Sequence, residues 1–362
     1  MAIIGLSPDA NGDIVIPATL GDFKVYGIDE NAFTKCKAVR SISIPKTVRF
    51  LRPGTLNRCE GLQTIKISKD NPDFASVDGV MRAWSGRDLT GEWPHPLAEE
   101  LIKYMDEAGV DVCFALREGM MDISGGMVSF STNQFMMDQI APYPDRMYLE
   151  CMVGPILKRG VKHAIWELEH MVKNCNAKLC KVYMPEDDGP LDDRRMWPFY
   201  EKCQELDITL TIHTGMSYVV PQPSKHTHPD TLDQVMIDHE DLKVICYHMA
   251  WPHTEELIGL CGKHKNLYAS ISGVVGWYER SPYRGLHAIG TALQWMDPSK
   301  IVMGLDLPFD DTKRVVDWVR NLQIPEELQK KYGYPEITDE MRAGWLGKNL
   351  ARLAKIEPTK RV

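Results

Sequence analysis

Leu206-Asp207-Ile208-Thr209-Leu210-Thr211-Ile212-His213-Thr214-Gly215 is a short apolar run that ends in a histidine and then a glycine. A buried strand handing over to a glycine-containing loop reads this way, with the His213 imidazole at the strand's end. The pattern recurs at Leu242-Lys243-Val244-Ile245-Cys246-Tyr247-His248, and again at Ile301-Val302-Met303-Gly304-Leu305-Asp306 before Leu307-Pro308-Phe309. Three apolar strands each finish in a group that can ligate a metal. In a parallel α/β barrel the loops after the strands gather at one face, so residues distant in sequence converge there. Imidazole and carboxylate suit zinc or another borderline divalent ion. A single strand-end histidine is more often a hydrogen-bonded structural residue; three such ends in barrel order weigh more.

The chain of 362 residues has room for one barrel of about 250 residues and a smaller unit besides. Hydrophobic residues at 44% and charged residues at 25% describe an ordinary globular protein with a filled core. The net charge of -8, from 42 basic and 50 acidic residues, leaves no electrostatic footprint for nucleic acid. Cys113, Cys151, Cys180 and Cys246, four of nine cysteines, sit in apolar strand-like runs, where a thiol acts as a small hydrophobe. That usage suits a reducing compartment. The opening Met1-Ala2-Ile3-Ile4-Gly5-Leu6 is too short for a signal peptide's apolar region, and no window approaches a membrane span. The expectation is a cytoplasmic protein that binds neither membrane nor nucleic acid.

The first ~75 residues read differently, as an internal repeat. Ser41-Ile42-Ser43-Ile44-Pro45-Lys46-Thr47-Val48 is echoed by Thr64-Ile65-Lys66-Ile67-Ser68 and, earlier, by Asp13-Ile14-Val15-Ile16-Pro17-Ala18-Thr19-Leu20. Cys36 and Cys59 are offset by the same 23 positions as Ile42 and Ile65, so strand-plus-turn units stack with one period. Turns fall at Asn31-Ala32-Phe33 and Gly54-Thr55-Leu56. Units of this kind bury apolar faces only against neighbours, which predicts a short solenoid. This text, down to Asp70-Asn71-Pro72-Asp73-Phe74, resembles the surface-protein class of leucine-rich repeats over about residues 12–80. The resemblance implies a binding or spacing module; a cap over the barrel is the plainer alternative.

From Pro94 the period changes. His95 to Gly109 carries apolar residues at helical spacing with Pro96 near its start, and Val110–Leu116 reads as a buried strand. Strand and helix then alternate through 146–153, 178–184, 207–213, 242–248, 266–272 and 300–306. Seven strands are explicit, and Val77–Ala83 supplies an eighth at the junction with the repeats. The expected architecture is α/β, a (β/α)8 TIM-like barrel over 77–362 preceded by a leucine-rich-repeat-like segment over 1–76.

"ELDITLTIHTG" (205–215), "HPDTLDQVMIDHEDLKVICYHMAWP" (228–252), "KNLYASISG", "SKIVMGLDLPFDD" and the closing "ITDEMRAGWLGKNLARLAKI" resemble the amidohydrolase superfamily, in its branch of metal-dependent decarboxylases and related hydrolases. The resemblance covers about residues 94–356. It implies that His213 is the metal ligand of the fifth strand, and that His248, on the sixth, binds metal or lies beside its water. Asp306, on the eighth, would ligate the metal and handle a proton. Lys181 and Tyr183 on the fourth strand would face substrate; the alternative for Lys181 is a strand-end ion pair with Asp187 or Asp188. One departure matters: the family opens its first strand with two ligating histidines one residue apart, and if 77–82 is that strand, Val80 and Arg82 stand in those places. Neither is a plausible ligand. His95, His226 or His228 are the candidate replacements, with His228 taken as a ligand beside His213 and Asp306.

A divalent ion, zinc before manganese or iron, would polarise water or a substrate oxygen while Asp306 or His248 moves the proton. Arg117, after the second strand, would pair with a substrate carboxylate, and Trp251 with Pro252 would wall the pocket. The expected function is a metal-dependent hydrolase or decarboxylase of a small carboxylate or carbonyl substrate. Its rival is a catalytically reduced companion or interaction subunit of a paired metal oxygenase. A third reading takes the change of character near 78–94 as a junction where the repeats displaced the first strand, leaving unpaired sheet edges. Asp187-Asp188 with Asp192-Asp193 reads as a solvated turn before a helix over Arg194–Leu206. The methionine-rich stretch between Met120 and Met152 reads as helices apolar on more than one face, which points to a homo-oligomer interface.

Overall fold

The structure, a computed structural model, describes residues 2–3, 5–7, 9–28, 32–33, 37–48, 50–51, 62, 64–68, 92–94, 97–117, 119–121, 127–217, 223–274, 281–306 and 312–357. Cys36, Cys59, His95, and the expected strand over 77–83 with Val80 and Arg82 lie outside them. The chain divides into two compact units. One comprises Met1–Leu101, Arg117–Pro142 and Tyr218–Gln222; the other comprises Ile102–Leu116, Tyr143–Ser217 and Pro223–Val362.

The first unit holds two ladders of short parallel strands. Asn11–Val15, Ala38–Ile44 and Thr64–Ile67 pair in that order, with Ile14 opposite Ile42 and Ile42 opposite Ile65. Ala2–Ile3, Gly27–Ile28 and Phe50–Leu51 make the second ladder, with Gly27 opposite Phe50. Glu92–Pro94 closes one edge antiparallel to Thr64–Ile67. Ile3, Ile16, Val25, Ile28, Phe33, Val39, Ile42, Ile44 and Val48 pack as one buried cluster. Ser41 donates to Asp13 Oδ1 at 2.6 Å and ties neighbouring rungs. Within the methionine-rich stretch the sequence expectation is corrected: Gly119–Met121 and Met127–Phe130 pair as antiparallel strands, and helix begins only at Asn133, capped by the Thr132 hydroxyl accepting from Phe135 N at 2.9 Å. Methionine suits helix and strand faces alike, so apolar content there could not decide the period.

Among the described residues the second unit holds a parallel sheet of seven strands in sequence order: β1 (Cys113–Leu116), β2 (Met147–Met152), β3 (Leu179–Val182), β4 (Thr209–Ile212), β5 (Val244–Cys246), β6 (Leu267–Ser270) and β7 (Ile301–Val302). They are the second to eighth of the expected series, and a sheet of this order is what a TIM-like barrel is built from. Every residue of β3, β4, β5 and β6 is buried, which is why these strands lack the alternation of half-exposed ones and carry a single charge, Lys181. Helices such as Val161–Lys173, Trp197–Glu205 and Thr254–Lys263 make the crossovers. Ile245, Tyr268, Val302 and Leu353 form a buried cluster, so the helix Asn349–Ala354 contributes to the sheet's own core. The Thr209 hydroxyl donates to Leu353 O at 3.0 Å, and Lys355 Nζ donates to Asp207 O at 2.9 Å.

The strands stop earlier than the apolar text does. β5 ends at Cys246, and His248, Met249 and Ala250 follow at φ of 59°, 43° and 51°. β7 ends at Val302, and Asp306 has φ of 58°. Left-handed backbone costs a non-glycine residue roughly 1–2 kcal/mol. Both expected ligands therefore stand on turns held by their surroundings and not at the tips of extended strands.

Candidate active site

His213 directly follows β4 and is half-buried. Its ring lies 4.8 Å, centroid to centroid, from that of His248, and 5.4 Å from that of Tyr183, which meets it at 87°. His248 Nδ1 stands 3.9 Å from Asp306 Oδ2 and 3.1 Å from Ser272 Oγ, and the His248 backbone N–H donates to the same hydroxyl at 3.3 Å. The structure thus brings together the ends of β4, β5 and β7. Burial, with smaller contributions from neighbouring His248 and Lys181, holds the His213 pKa well below the usual imidazole value. Its Nε2 lies 3.2 Å from Met216 O, a bond that takes the ring proton and leaves the lone pair on Nδ1.

That shift has a sign that can be tested. Below pH ~6.5 the unfolded chain protonates His213 while the folded chain resists, so the unfolded state binds more protons and stability falls with pH. Each such proton steepens the decline by up to about 1.4 kcal/mol per pH unit. His239, also lowered chiefly by burial, acts in the same direction. Urea unfolding of chelator-treated protein from pH 7 to pH 5 is expected to show a shallower acid slope in His213→Asn than in the native chain; equal slopes count against a neutral His213.

Beneath these ends the interior is polar. Glu150 on β2, 4% exposed, accepts from Tyr247 OH at 2.6 Å and from the Thr211 hydroxyl. Lys181 on β3 is buried, with Nζ 5.6 Å from the centre of the Tyr247 ring. Tyr183 OH shares a 2.8 Å hydrogen bond with Ser217 Oγ. Asp187 and Asp188 have other engagements: the first accepts from the backbone N–H groups of Ile156, Leu157 and Lys158 at 2.8, 2.7 and 3.0 Å, and the second lies 2.9 Å from His226 Nε2. Asp193 caps the 3-10 turn Arg194–Met196, and the α-helix begins at Trp197.

Three further expected residues, Arg117, Trp251 and His228, have the following partners. Arg117 belongs to the first unit, where its Nε donates to Ser131 O at 3.1 Å. Trp251 serves through its backbone, its carbonyl accepting from Met216 N at 2.6 Å and its N–H donating to His248 O at 3.0 Å. Gly215, at φ of 86°, lies so close that an added Cβ would fall 2.2 Å from Trp251 O. The loops after β4 and β5 are joined there backbone to backbone. His228 is grouped with His253 and Glu256. The sequence reading missed Glu150, Ser217 and Ser272. Glu150 left a trace, as the sole charge inside an apolar strand; the serines left none.

For a divalent ion the donors are right in kind and number: two imidazoles, one held neutral, and a carboxylate, the three protein ligands a catalytic zinc keeps. The Met216 bond on His213 Nε2 is the feature that opposes ligation through that atom.

Residues 127–353 match the amidohydrolase family. Among solved structures, an uncharacterised TIM-barrel protein from Bordetella bronchiseptica aligns at 19% identity and a TM-score of 0.61, covering 87% of this chain and 98% of its own. 2,6-Dihydroxybenzoate decarboxylase from Rhizobium aligns at 17% and 0.53, covering 72% and 88%. 5-Carboxyvanillate decarboxylase from Novosphingobium aromaticivorans, complexed with manganese and 4-hydroxy-3-methoxy-5-nitrobenzoic acid, aligns at 16% and 0.51, covering 71% and 79%. At these identities the likeness is one of fold. No curated protein sequence matches the chain. Among the described residues no helix is long and apolar enough to cross a membrane.

Proposed function

The chain belongs to the amidohydrolase family, and on that premise we propose that it is a metal-dependent hydrolase or carbon–carbon lyase acting on a small carboxylate or carbonyl substrate. The observation that carries this reading is the meeting of His213, His248 and Asp306 at the ends of β4, β5 and β7. The decarboxylases of similar fold, one of them holding manganese, support the metal and the carboxylate. His213, His248 and Asp306 would hold a zinc, manganese or iron ion. When bound, such an ion supplies Lewis acidity toward a substrate oxygen or water.

The chain's own groups do the rest. Lys181 is close enough for its charge to be felt at His213, so the same field favours an anionic substrate there. Tyr183, fixed by Ser217, stands edge-on to His213 and limits where a substrate can lie. Asp306, 3.9 Å from His248, is the group through which a proton moves to or from the reacting atom, with Ser272 orienting the imidazole. The ladders of the first unit support a repeat-type spacing or binding segment over 1–76, ahead of a barrel over 77–362.

Mass-spectrometric metal analysis of native protein beside His213→Ala/Asp306→Ala tests the reading. One equivalent is expected to be lost in the variant, together with decarboxylation of hydroxybenzoate-type acids. A second reading, a reduced companion subunit, is favoured by the sequence of 77–83, which lacks the histidine pair that the resemblance implies for a first strand. Equal metal content in two folded proteins would leave that reading in place of the first.

A further inference from the structure

His228, His253 and Glu256 form a cluster that the proposed activity leaves unused. His228 lies in the loop after β4, three residues before the helix Thr231–Asp238. His253 is the N-cap of the helix Thr254–Lys263, and Glu256 lies in its first turn, so both reach the same side of that helix. The two rings stand 3.9 Å apart, centroid to centroid. Glu256 Oε2 is 3.4 Å from His228 Nε2 and 3.2 Å from His253 Nδ1. One donor atom from each residue lies within 4.8 Å of the others. Nitrogen and oxygen ligands about 2.0–2.2 Å from a tetrahedral ion stand about 3.3 Å from one another. The two measured separations are therefore those of edges of a tetrahedral donor set.

A fourth residue orients the first. His228 Nδ1 lies 2.7 Å from Asp230 Oδ1 and Nε2 faces Glu256, so the tautomer with its proton on Nδ1 is the one that ligates through Nε2. Carboxylate behind imidazole, with the far nitrogen free to ligate, is how metal-binding histidines are held. The helix N-terminus beside the cluster is unfavourable for a cation. Glu256 itself, with Asp230 beside His228, offsets it.

We propose that His228, His253 and Glu256 bind a divalent cation of the zinc class, with Asp230 as a positioning residue and a fourth place open to water or an exogenous ligand. Two imidazoles and one carboxylate select zinc, cobalt or nickel over calcium or magnesium. The ion clamps the loop after β4 to the helix after β5, at a second point beyond the backbone bond between Met216 and Trp251.

The test is zinc titration of chelator-stripped full-length protein by calorimetry, with cobalt(II) absorption reporting geometry and far-UV circular dichroism reporting the fold. In the His213→Ala/Asp306→Ala background one zinc equivalent is expected to remain, with a tetrahedral cobalt spectrum. Adding His253→Ala/Glu256→Gln should weaken it by more than about 100-fold, and Asp230→Asn by about tenfold, as loss of an outer partner does. Glu255→Gln, which faces His287, should leave it unchanged. If that background does not fold, native protein and His253→Ala/Glu256→Gln alone are compared, and the variant should bind one equivalent fewer. Equal stoichiometry and affinity in either comparison, or a folded background that binds no zinc, overturns the site without touching the proposed activity.

Discussion

Gly215→Ala is expected to destabilise the second unit by about 3 kcal/mol or more, well above the cost of the usual surface substitution. Left-handed backbone at φ of 86° accounts for roughly 1–2 kcal/mol of this. The remainder comes from what the new methyl group meets: Trp251 O at 2.2 Å, Ala250 C at 2.5 Å and Ala250 O at 2.7 Å, all main chain. No side chain can swing aside. The loop cannot retreat without giving up Gly215 N to Thr227 O at 2.8 Å and Met216 N to Trp251 O at 2.6 Å. Gly333, at φ of 72° and ψ of 24° with only the Gln294 side-chain amide 3.4 Å from an added Cβ, separates the two contributions. Gly333→Ala should cost only the backbone part, about 1–2 kcal/mol. Urea unfolding of both variants checks the pair; equal losses would mean that the loop contact contributes nothing.

Glu150→Ala is the second large effect, expected at about 3 kcal/mol. Hydrogen bonds to charged groups contribute about 1.5–3 kcal/mol each, and a buried partner left without one adds its desolvation cost. Glu150 serves both the Tyr247 and Thr211 hydroxyls, and Thr211 is 1% exposed. Because the two bonds share one carboxylate, their losses do not simply add. Glu150→Gln keeps an acceptor oxygen and should cost roughly half as much. Denaturation midpoints with unchanged slopes would support this ordering. A loss below about 1 kcal/mol for Glu150→Ala would show that the network does not stabilise the interior.

The strands of the second unit were legible because parallel strands buried on both faces lack the alternation of half-exposed ones. The pairing of Ile42 with Ile65 was legible because a fixed offset repeats. Three kinds of feature were not. Where a strand leaves its ladder depends on backbone dihedrals, so the left-handed turns at 248–250 and at Asp306 did not show in side-chain periodicity. The pairing of Gly119–Met121 with Met127–Phe130 was obscured by methionines, although Ser124-Gly125-Gly126 between them is a turn signal. The partners of His228 were invisible because the loops after two different strands must fold before His253 and Glu256 reach it. Of the site, the strand-end residues could be read, whereas Glu150, Ser217 and Ser272 emerged only with the fold.

The late helix Asn349–Ala354 places Leu353 among Ile245, Tyr268 and Val302, and accepts the buried Thr209 hydroxyl on its last turn. A chain growing from its N-terminus has made all seven strands well before this piece exists. Until residue 353 emerges, Ile245, Tyr268 and Val302 lack Leu353 as a neighbour, and the Thr209 hydroxyl lacks the Leu353 carbonyl. Completion of this part of the core is thus a late event with a separation of 144 residues to close, the sort of long-range step that slows folding and lengthens exposure to aggregation.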